Sequence, residues 1–153
     1  MGDWAQPVTG GCLCGAVRYE AEVFLQSAYY CHCKSCQKSS GQPAEIAVPV
    51  KVGSLRFTNE EPKYYVSSAW GQRGFCPHCG SRIIWRPRDP HEEWQTNIDV
   101  GSLDNPEAVV PRMHIFVDTQ LLWYKLDDDL PRARADEMDR VVETWKKDRL
   151  EDP

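Results

Sequence analysis

The chain has 153 residues, of which 41% are hydrophobic and 27% are charged, so we expect one soluble globular domain over residues 1–153. A net charge of −5 and a pI of about 5.4 argue against a nucleic-acid or anionic-membrane surface, which would need clustered Lys and Arg. No apolar run approaches the roughly 20 residues of a membrane span, and residues 1–10 lack a signal-peptide core, which predicts a cytoplasmic protein.

Strand patterns dominate the chain. Apolar and polar residues alternate from Val17 to Val23, which is typical of a strand with one buried face. Similar β-like runs, separated by turn residues, follow at Ser27–Cys31, Glu45–Val50, Leu55–Phe57, Tyr64–Ser67, Ser81–Trp85, Trp94–Val100 and His114–Val117. Many short strands at close spacing predict a mainly β protein in which sheets pack together without βαβ units.

Two helices are predicted. A short one begins near Cys33 and ends near Ser39. A C-terminal helix is predicted over about 131–149, because Pro131 suits a first helical turn and apolar residues then recur at helical spacing. Those apolar residues are Ala135, Met138, Val142 and Trp145. We expect this helix to pack on a β body that covers about residues 8–131.

Seven cysteines fall into three clusters, and their odd number excludes complete disulfide pairing. In a reducing compartment, cysteines at such close spacings indicate metal binding or catalysis. The clusters are Cys12 and Cys14 (C-x-C), then Cys31, Cys33 and Cys36 (C-x-C-x-x-C), then Cys76 and Cys79 (C-x-x-C).

These spacings suit metal chelation. In an extended C-x-C both side chains point to one face, and in C-x-x-C a tight turn brings both sulfurs to one ion. Gly80 follows the second kind of turn and permits its left-handed backbone. Two pairs from distant segments make a closed four-thiolate zinc site, here Cys12 and Cys14 with Cys76 and Cys79. The remaining group is Cys31, Cys33 and Cys36.

Three protein ligands with an exchangeable fourth position are typical of a catalytic zinc, and the alternative is a structural site closed by a histidine. His32 lies between two ligands and should point away from them, and His78 should face solvent. His91 and His114 stay possible ligands, although we expect His114 to be a hydrogen-bonded core residue.

The charge of the second group favours a thiol substrate. Three thiolates and one Zn²⁺ sum to −1, which makes a weaker Lewis acid than a three-histidine zinc and suits the activation of a thiol. Two other functions remain open. A non-enzymatic zinc-binding module would have a closed second site, and a zinc-thiolate redox sensor would release its metal on oxidation.

The sequence resembles the glutathione-dependent formaldehyde-activating enzymes, which include centromere protein V relatives, over about residues 8–131. The resemblance rests on all seven cysteines in order, within the segments 11–15, 31–41 and 73–80, and on Gly101–Asp104 and His114-Ile115. It implies a β-tent fold of several small antiparallel sheets around two zinc ions. It also implies a carbon–sulfur lyase-type activity that joins glutathione and formaldehyde into S-hydroxymethylglutathione. Cys12, Cys14, Cys76 and Cys79 match the family's structural ligands, and Cys31, Cys33 and Cys36 match its catalytic ones.

Cations near the second group would offset its negative charge and hold the carboxylates of glutathione. The candidates are Lys34, Lys38, Arg73 and Arg82. Three tryptophans, Trp70, Trp85 and Trp123, are expected in the core rather than against a substrate. The sequence does not specify an oligomeric state.

Overall fold

A computed structural model describes residues 3–89 and 95–150, with side chains as far as Glu143. The strands are β1 Asp3–Trp4, β2 Gln6–Gly11, β3 Arg18–Val23, β4 Ala28–Cys31, β5 Glu45–Pro49, β6 Arg56–Phe57, β7 Lys63–Val66, β8 Gly71–Phe75, β9 Arg82–Pro87, β10 Asn97–Asp99, β11 Pro111–Ile115, β12 Arg132–Ala133 and β13 Arg149–Leu150. The α-helices are α1 Lys34–Ser40 and α2 Met138–Asp148, and 3-10 turns cover Leu25–Ser27, Val100–Ser102, Pro106–Ala108, Val117–Thr119 and Ala135–Glu137. The mainly β class is confirmed. None of these helices is long and apolar enough to cross a lipid bilayer.

Eight strands form one mixed sheet in the order β12-β11-β4-β5-β10-β9-β8-β7. Within it β11 runs parallel to β12 and to β4, and the other neighbours are antiparallel. A three-stranded antiparallel sheet contains β2, β3 and β6, and β1 pairs in parallel with β13. The sheets therefore differ from the several small antiparallel ones that were predicted. Parallel neighbours are joined by long connections, and sequence periodicity does not reveal them.

The main core joins the three-stranded sheet to the large sheet. It includes Val17, Tyr19, Val48, Ile83, Ile84 and Ile98. The Tyr19 hydroxyl is 2.7 Å from Ser102 Oγ, and burial raises the pKa of this phenol. Gly10 makes room for the ring, because a Cβ at this position would lie 2.3 Å from the Tyr19 hydroxyl oxygen. A second buried cluster, around Tyr29, Ile115 and Met138, joins the start of α2 to the large sheet.

The C-terminal helix begins later than predicted. Pro131 precedes the short strand β12, and its carbonyl accepts a hydrogen bond from the His114 N–H at 2.9 Å. The chain turns helical only at Ala135, whose N–H donates to Asp118 Oδ2 at 2.7 Å. Pairing with β11 thus holds the chain extended where the sequence pattern alone indicated a helix. The side chain of Trp145 lies outside the described residues.

Candidate metal centres and active site

The first cysteine group joins two turns on different sheets. Its four sulfurs, those of Cys12, Cys14, Cys76 and Cys79, lie within 4.8 Å of one another. The sulfur-to-sulfur distance is 3.6 Å from Cys12 to Cys14 and 3.7 Å from Cys14 to Cys76. Cys12 and Cys14 lie between β2 and β3, whereas Cys76 and Cys79 lie between β8 and β9. The structure therefore gathers the four predicted ligands into one group that could hold a metal ion.

Backbone N–H groups point at this first group. The Val17 N–H donates to Cys12 Sγ at 3.2 Å, and the His78 N–H donates to Cys76 Sγ at 3.4 Å. Such hydrogen bonds stabilise thiolates, the form that binds metals. Gly80 has a φ of 74°, the left-handed conformation predicted for the residue after the C-x-x-C turn.

The second cysteine group is built by the end of β4 and the start of α1. The sulfurs of Cys31, Cys33 and Cys36 lie within 4.8 Å of one another, and no fourth Cys, His, Asp or Glu among the described residues joins them. Cys33 is the N-cap of α1, and its Sγ accepts the Cys36 N–H at 3.3 Å. Gly41 ends the helix in the left-handed conformation, with a φ of 70°. This capped turn of helix fixes two of the three sulfurs.

The described histidines lie outside the second group. His32 is fully buried, and its Nε2 is 2.8 Å from His114 Nδ1, while His114 Nε2 is 3.0 Å from Asp128. Burial, with help from His114, lowers the pKa of His32 to about 4, so this imidazole is neutral. His78 is exposed, and its contact with Glu60 raises its pKa. His32 therefore points away from the cysteines, and His114 is a hydrogen-bonded core residue, as predicted. His91 lies outside the described residues.

A cavity of about 470 Å³ opens onto the second cysteine group. Two rows of paired residues on the large sheet contribute to its lining, and each row crosses three strands. The first row is Ile115, Cys31 and Glu45, and the second is Arg73, Trp85 and Asn97. None of the first group's four cysteines lines this cavity. A small molecule that enters it would therefore meet the second group alone.

Arg73 brings a positive charge to the second group. It is 8% exposed, and its Nη2 is 3.5 Å from Cys36 Sγ. Its Nη1 donates to Ser67 Oγ, and its Nε has no hydrogen-bond partner among the described residues. A guanidinium here offsets the charge of clustered thiolates.

The other three predicted cations lie elsewhere. Lys34 and Lys38 are exposed on α1, and neither lines the cavity. Arg82 is engaged within the protein, where it binds Glu45 at 2.5 Å and Asp99 at 3.2 Å. Arg73 is thus the one predicted cation of the four that the structure places in the cavity wall.

Glu45, Asp99 and Arg82 form a buried charged network that the sequence did not reveal. Burial raises the pKa of Asp99 well above its usual range, and the charge of Glu45 adds to this. Burial opposes ionisation of Glu45 as well, but hydrogen bonding with Asp99 and the charge of Arg82 bring its pKa below its usual value. In this network burial and the charge of Glu45 disfavour ionisation of Asp99, whereas the charge of Arg82 favours ionisation of Glu45.

Replacing Arg82 with methionine is expected to destabilise the protein by about 3–5 kcal/mol, because it leaves a buried carboxylate without its counter-ion. Arg56→Met is the matched control, since Arg56 pairs with Glu20 on the surface and is 68% exposed. The control substitution should lower the free energy of unfolding by less than about 1 kcal/mol. Urea unfolding of both variants measures the difference, and equal losses would show that the buried network contributes no more than a surface pair.

Two of the three tryptophans expected in the core are on the surface. Trp70 is 65% exposed and Trp123 is 73% exposed, because each lies in a connection between strands and not on a strand that faces the core. Trp85 is half-buried on β9. Trp70 and Trp85 line the cavity, whereas Trp123 does not. The sequence offers no signal that separates these three positions.

Comparisons with known proteins point to one family. A family model described as glutathione-dependent formaldehyde-activating enzyme matches residues 7–119. A Schizosaccharomyces pombe protein named as an uncharacterized lyase is 30% identical over 76 residues, which are 50% of this chain and 55% of the yeast protein. The crystal structure of a Rhodobacter sphaeroides protein matches with a TM-score of 0.51 and 21% identity, over 81% of this chain and 98% of that one. The bacterial structure supports the fold alone.

Proposed function

Because this chain belongs to the glutathione-dependent formaldehyde-activating enzyme family, we propose that it is a zinc-dependent carbon–sulfur lyase-type enzyme that binds glutathione or a related thiol. The binding site is the group of Cys31, Cys33 and Cys36. The observation that carries the proposal is that this three-sulfur group, and not the four-sulfur group, opens onto a cavity of ligand size. In the same proposal the four-sulfur group holds a structural ion, which gives two zinc ions per chain.

The cysteine groups fit zinc by their donor chemistry. Clustered thiols that no disulfide joins match the thiolate sets that zinc prefers, and N–H groups aimed at the sulfurs favour the ionised form. Cys31, Cys33 and Cys36 would hold this zinc ion, which would lower the pKa of a substrate thiol that binds to it. The same chemistry needs a reducing environment, which supports a cytoplasmic location.

The protein's own residues supply charge and proton transfer. Arg73 offsets the negative charge that a further thiolate brings, because its Nη2 lies beside Cys36 Sγ. Glu45 lines the cavity, and Arg82 keeps it ionised, so its carboxylate accepts the substrate thiol's proton. The thiol sulfur then bonds to the aldehyde carbon, the carbonyl π electrons move to oxygen, and the proton ends on that oxygen. With formaldehyde the product is S-hydroxymethylglutathione, and the reverse step is the lyase reaction.

X-ray absorption at the zinc edge tests this function. Spectra of the zinc-loaded protein with and without glutathione should show that sulfur coordination rises when glutathione binds. S-methylglutathione serves as the control, because it lacks an ionisable thiol and should bind much more weakly. Unchanged sulfur coordination, or equal binding of the two compounds, would leave the chain as a zinc-binding module without thiol activation.

Arg73→Gln is expected to weaken glutathione binding by about tenfold to a hundredfold, since it removes a charge-assisted donor beside the sulfurs. Lys38→Gln is the control, because it removes the same charge from a helix face outside the cavity, and it should change affinity by less than about twofold. Isothermal titration calorimetry measures both dissociation constants. A larger loss of glutathione affinity in Lys38→Gln than in Arg73→Gln would show that α1, and not the sheet, provides the cation that binds glutathione.

A further inference from the structure

The cavity beside the three cysteines has an apolar wall that the proposed reaction with formaldehyde leaves without a role. The apolar wall consists of four side chains that line the cavity, those of Trp70, Trp85, Phe116 and Met138. Formaldehyde has one carbon, and the glutathione that shares the cavity is a polar peptide with charged ends, so neither offers a large apolar surface for these side chains to cover. Apolar side chains beside the three-cysteine group therefore favour a substrate that is larger and more apolar than formaldehyde.

Trp85 is held in a fixed position in this wall. It pairs with Arg73 across β8 and β9, so the indole and the guanidinium share one face of the sheet. Its ring packs flat against Gly71, where a Cβ would lie 2.3 Å from ring atom Cζ2. Arg73 in turn contacts Cys36. The indole therefore lies on the same sheet face as the guanidinium that reaches the three-sulfur group.

Phe116 occupies an unusual backbone conformation at the same cavity. Its φ of 54° and ψ of 44° are left-handed, and no other described residue except glycine has a positive φ. This conformation costs about 1–2 kcal/mol for a residue with a side chain. The surrounding fold thus holds a strained aromatic residue at the cavity.

Met138 and Ala135 contribute to the lining from the C-terminal part of the chain. Met138 is 3% exposed at the start of α2. Both residues lie outside residues 7–119, the part that matches the family. This part of the cavity therefore lies beyond the residues that the family model matches, and it contributes to the surface that a substrate would contact.

Trp70 completes the wall from the β7–β8 turn. Its backbone N–H donates to Ser68 Oγ at 3.2 Å, and its side chain is 65% exposed. A large exposed ring at the edge of a cavity gains free energy when a ligand removes it from water, most of all when the ligand carries a ring of its own.

We infer that the aldehyde partner of this enzyme carries an aromatic or similarly bulky apolar group, which packs against Trp70 and the apolar wall. The inference rests on the proposed function, because the same thiol addition places that group in the cavity. The thiol sulfur bonds to the aldehyde carbon, the π electrons move to oxygen, and the thiol proton ends there, which gives a hemithioacetal. A cavity of about 470 Å³ lies in the usual range for such ligands.

Binding of two thioethers tests the wall without the reaction. S-benzylglutathione and S-methylglutathione both lack a free thiol and differ by one aromatic ring. Calorimetry should find S-benzylglutathione bound about tenfold more tightly. Trp70→Ala should remove that preference, while Trp123→Ala, which removes a similarly exposed tryptophan outside the cavity, should keep it. Equal affinities in the unsubstituted protein, or equal losses in the two variants, would overturn the inference.

The reaction supplies a second measurement. With glutathione fixed, kcat/KM for phenylacetaldehyde should exceed that for formaldehyde by about tenfold after subtraction of the uncatalysed rate, and Trp70→Ala should abolish the excess. If glutathione binds but formaldehyde is preferred, the inference fails and the proposed function stands. If no aldehyde reacts while S-benzylglutathione remains the tighter ligand, the proposed reaction fails and the apolar specificity of the cavity stands.

Discussion

Replacing Cys76 with serine is expected to prevent stable folding. Cys76 is fully buried, and its group joins the turn of the three-stranded sheet to a turn of the eight-stranded sheet. Cys14 and Cys76 are 62 positions apart in sequence, so one ion held by this group would crosslink distant parts of the chain. Structural zinc contributes about 10–16 kcal/mol of apparent binding free energy in small modules, which exceeds the net stability of most domains.

Near-UV circular dichroism and thermal unfolding measure this effect. We expect the Cys76→Ser protein to be insoluble, or to lose its near-UV signal and its cooperative melting transition. A chelator strong enough to remove the ion from the unsubstituted protein should have the same result. An unchanged spectrum and melting temperature in Cys76→Ser would show that this group is not the structural site.

The cysteine groups could be predicted from the sequence because their geometry is local. A C-x-C in extended chain and a C-x-x-C in a turn each bring two sulfurs together whatever the rest of the fold does. The only long-range step was to combine two such pairs, and four sulfurs are the number that closes a tetrahedral shell. The helix after Cys33 was predictable for the same reason, because its cap and its final Gly41 lie within one short segment.

Among the strands that escaped prediction, β2 and β8 did so because glycine replaces the alternating side chains. β2 ends in Gly10-Gly11, and β8 contains Gly71 and Gly74. At Gly74 a Cβ would lie 2.4 Å from Ile84 Cγ2, so the neighbouring strand supplies the side chain that fills this part of the core. A periodicity search needs apolar side chains on the strand itself, and here the strand's partner carries them.

The residues around the cavity could not be predicted because strand register brings them together. Glu45 meets Cys31 across β4 and β5, and Arg73 meets Trp85 across β8 and β9. Each pair is distant in sequence, and a shift of one residue in register would send its side chains to the opposite face. The cations nearest to the cysteines in sequence, Lys34 and Lys38, were for this reason poor candidates for the cavity wall.

Replacing Cys33 with serine is expected to abolish glutathione binding and leave the fold intact. Cys33 caps α1 by accepting the Cys36 N–H at 3.3 Å. Serine is among the best N-cap residues, so its hydroxyl can keep that hydrogen bond and the helix. What the variant loses is one of three thiolates, and two thiolates with an alcohol make a far weaker zinc site than three thiolates.

Metal content, fold and ligand binding together decide this last prediction. The Cys33→Ser protein should hold one zinc ion per chain where the unsubstituted protein holds two, and its near-UV spectrum should be preserved, in contrast to Cys76→Ser. Calorimetry should detect no glutathione binding, because the substrate thiol has lost the ion that lowers its pKa. A variant that keeps one zinc ion and still binds glutathione would place the thiol site outside the Cys31 group. A variant that unfolds would show that both cysteine groups stabilise the fold. Mild chelation of the unsubstituted protein would then be the test of whether the two sites differ in role. If they do differ, one ion should leave before the other.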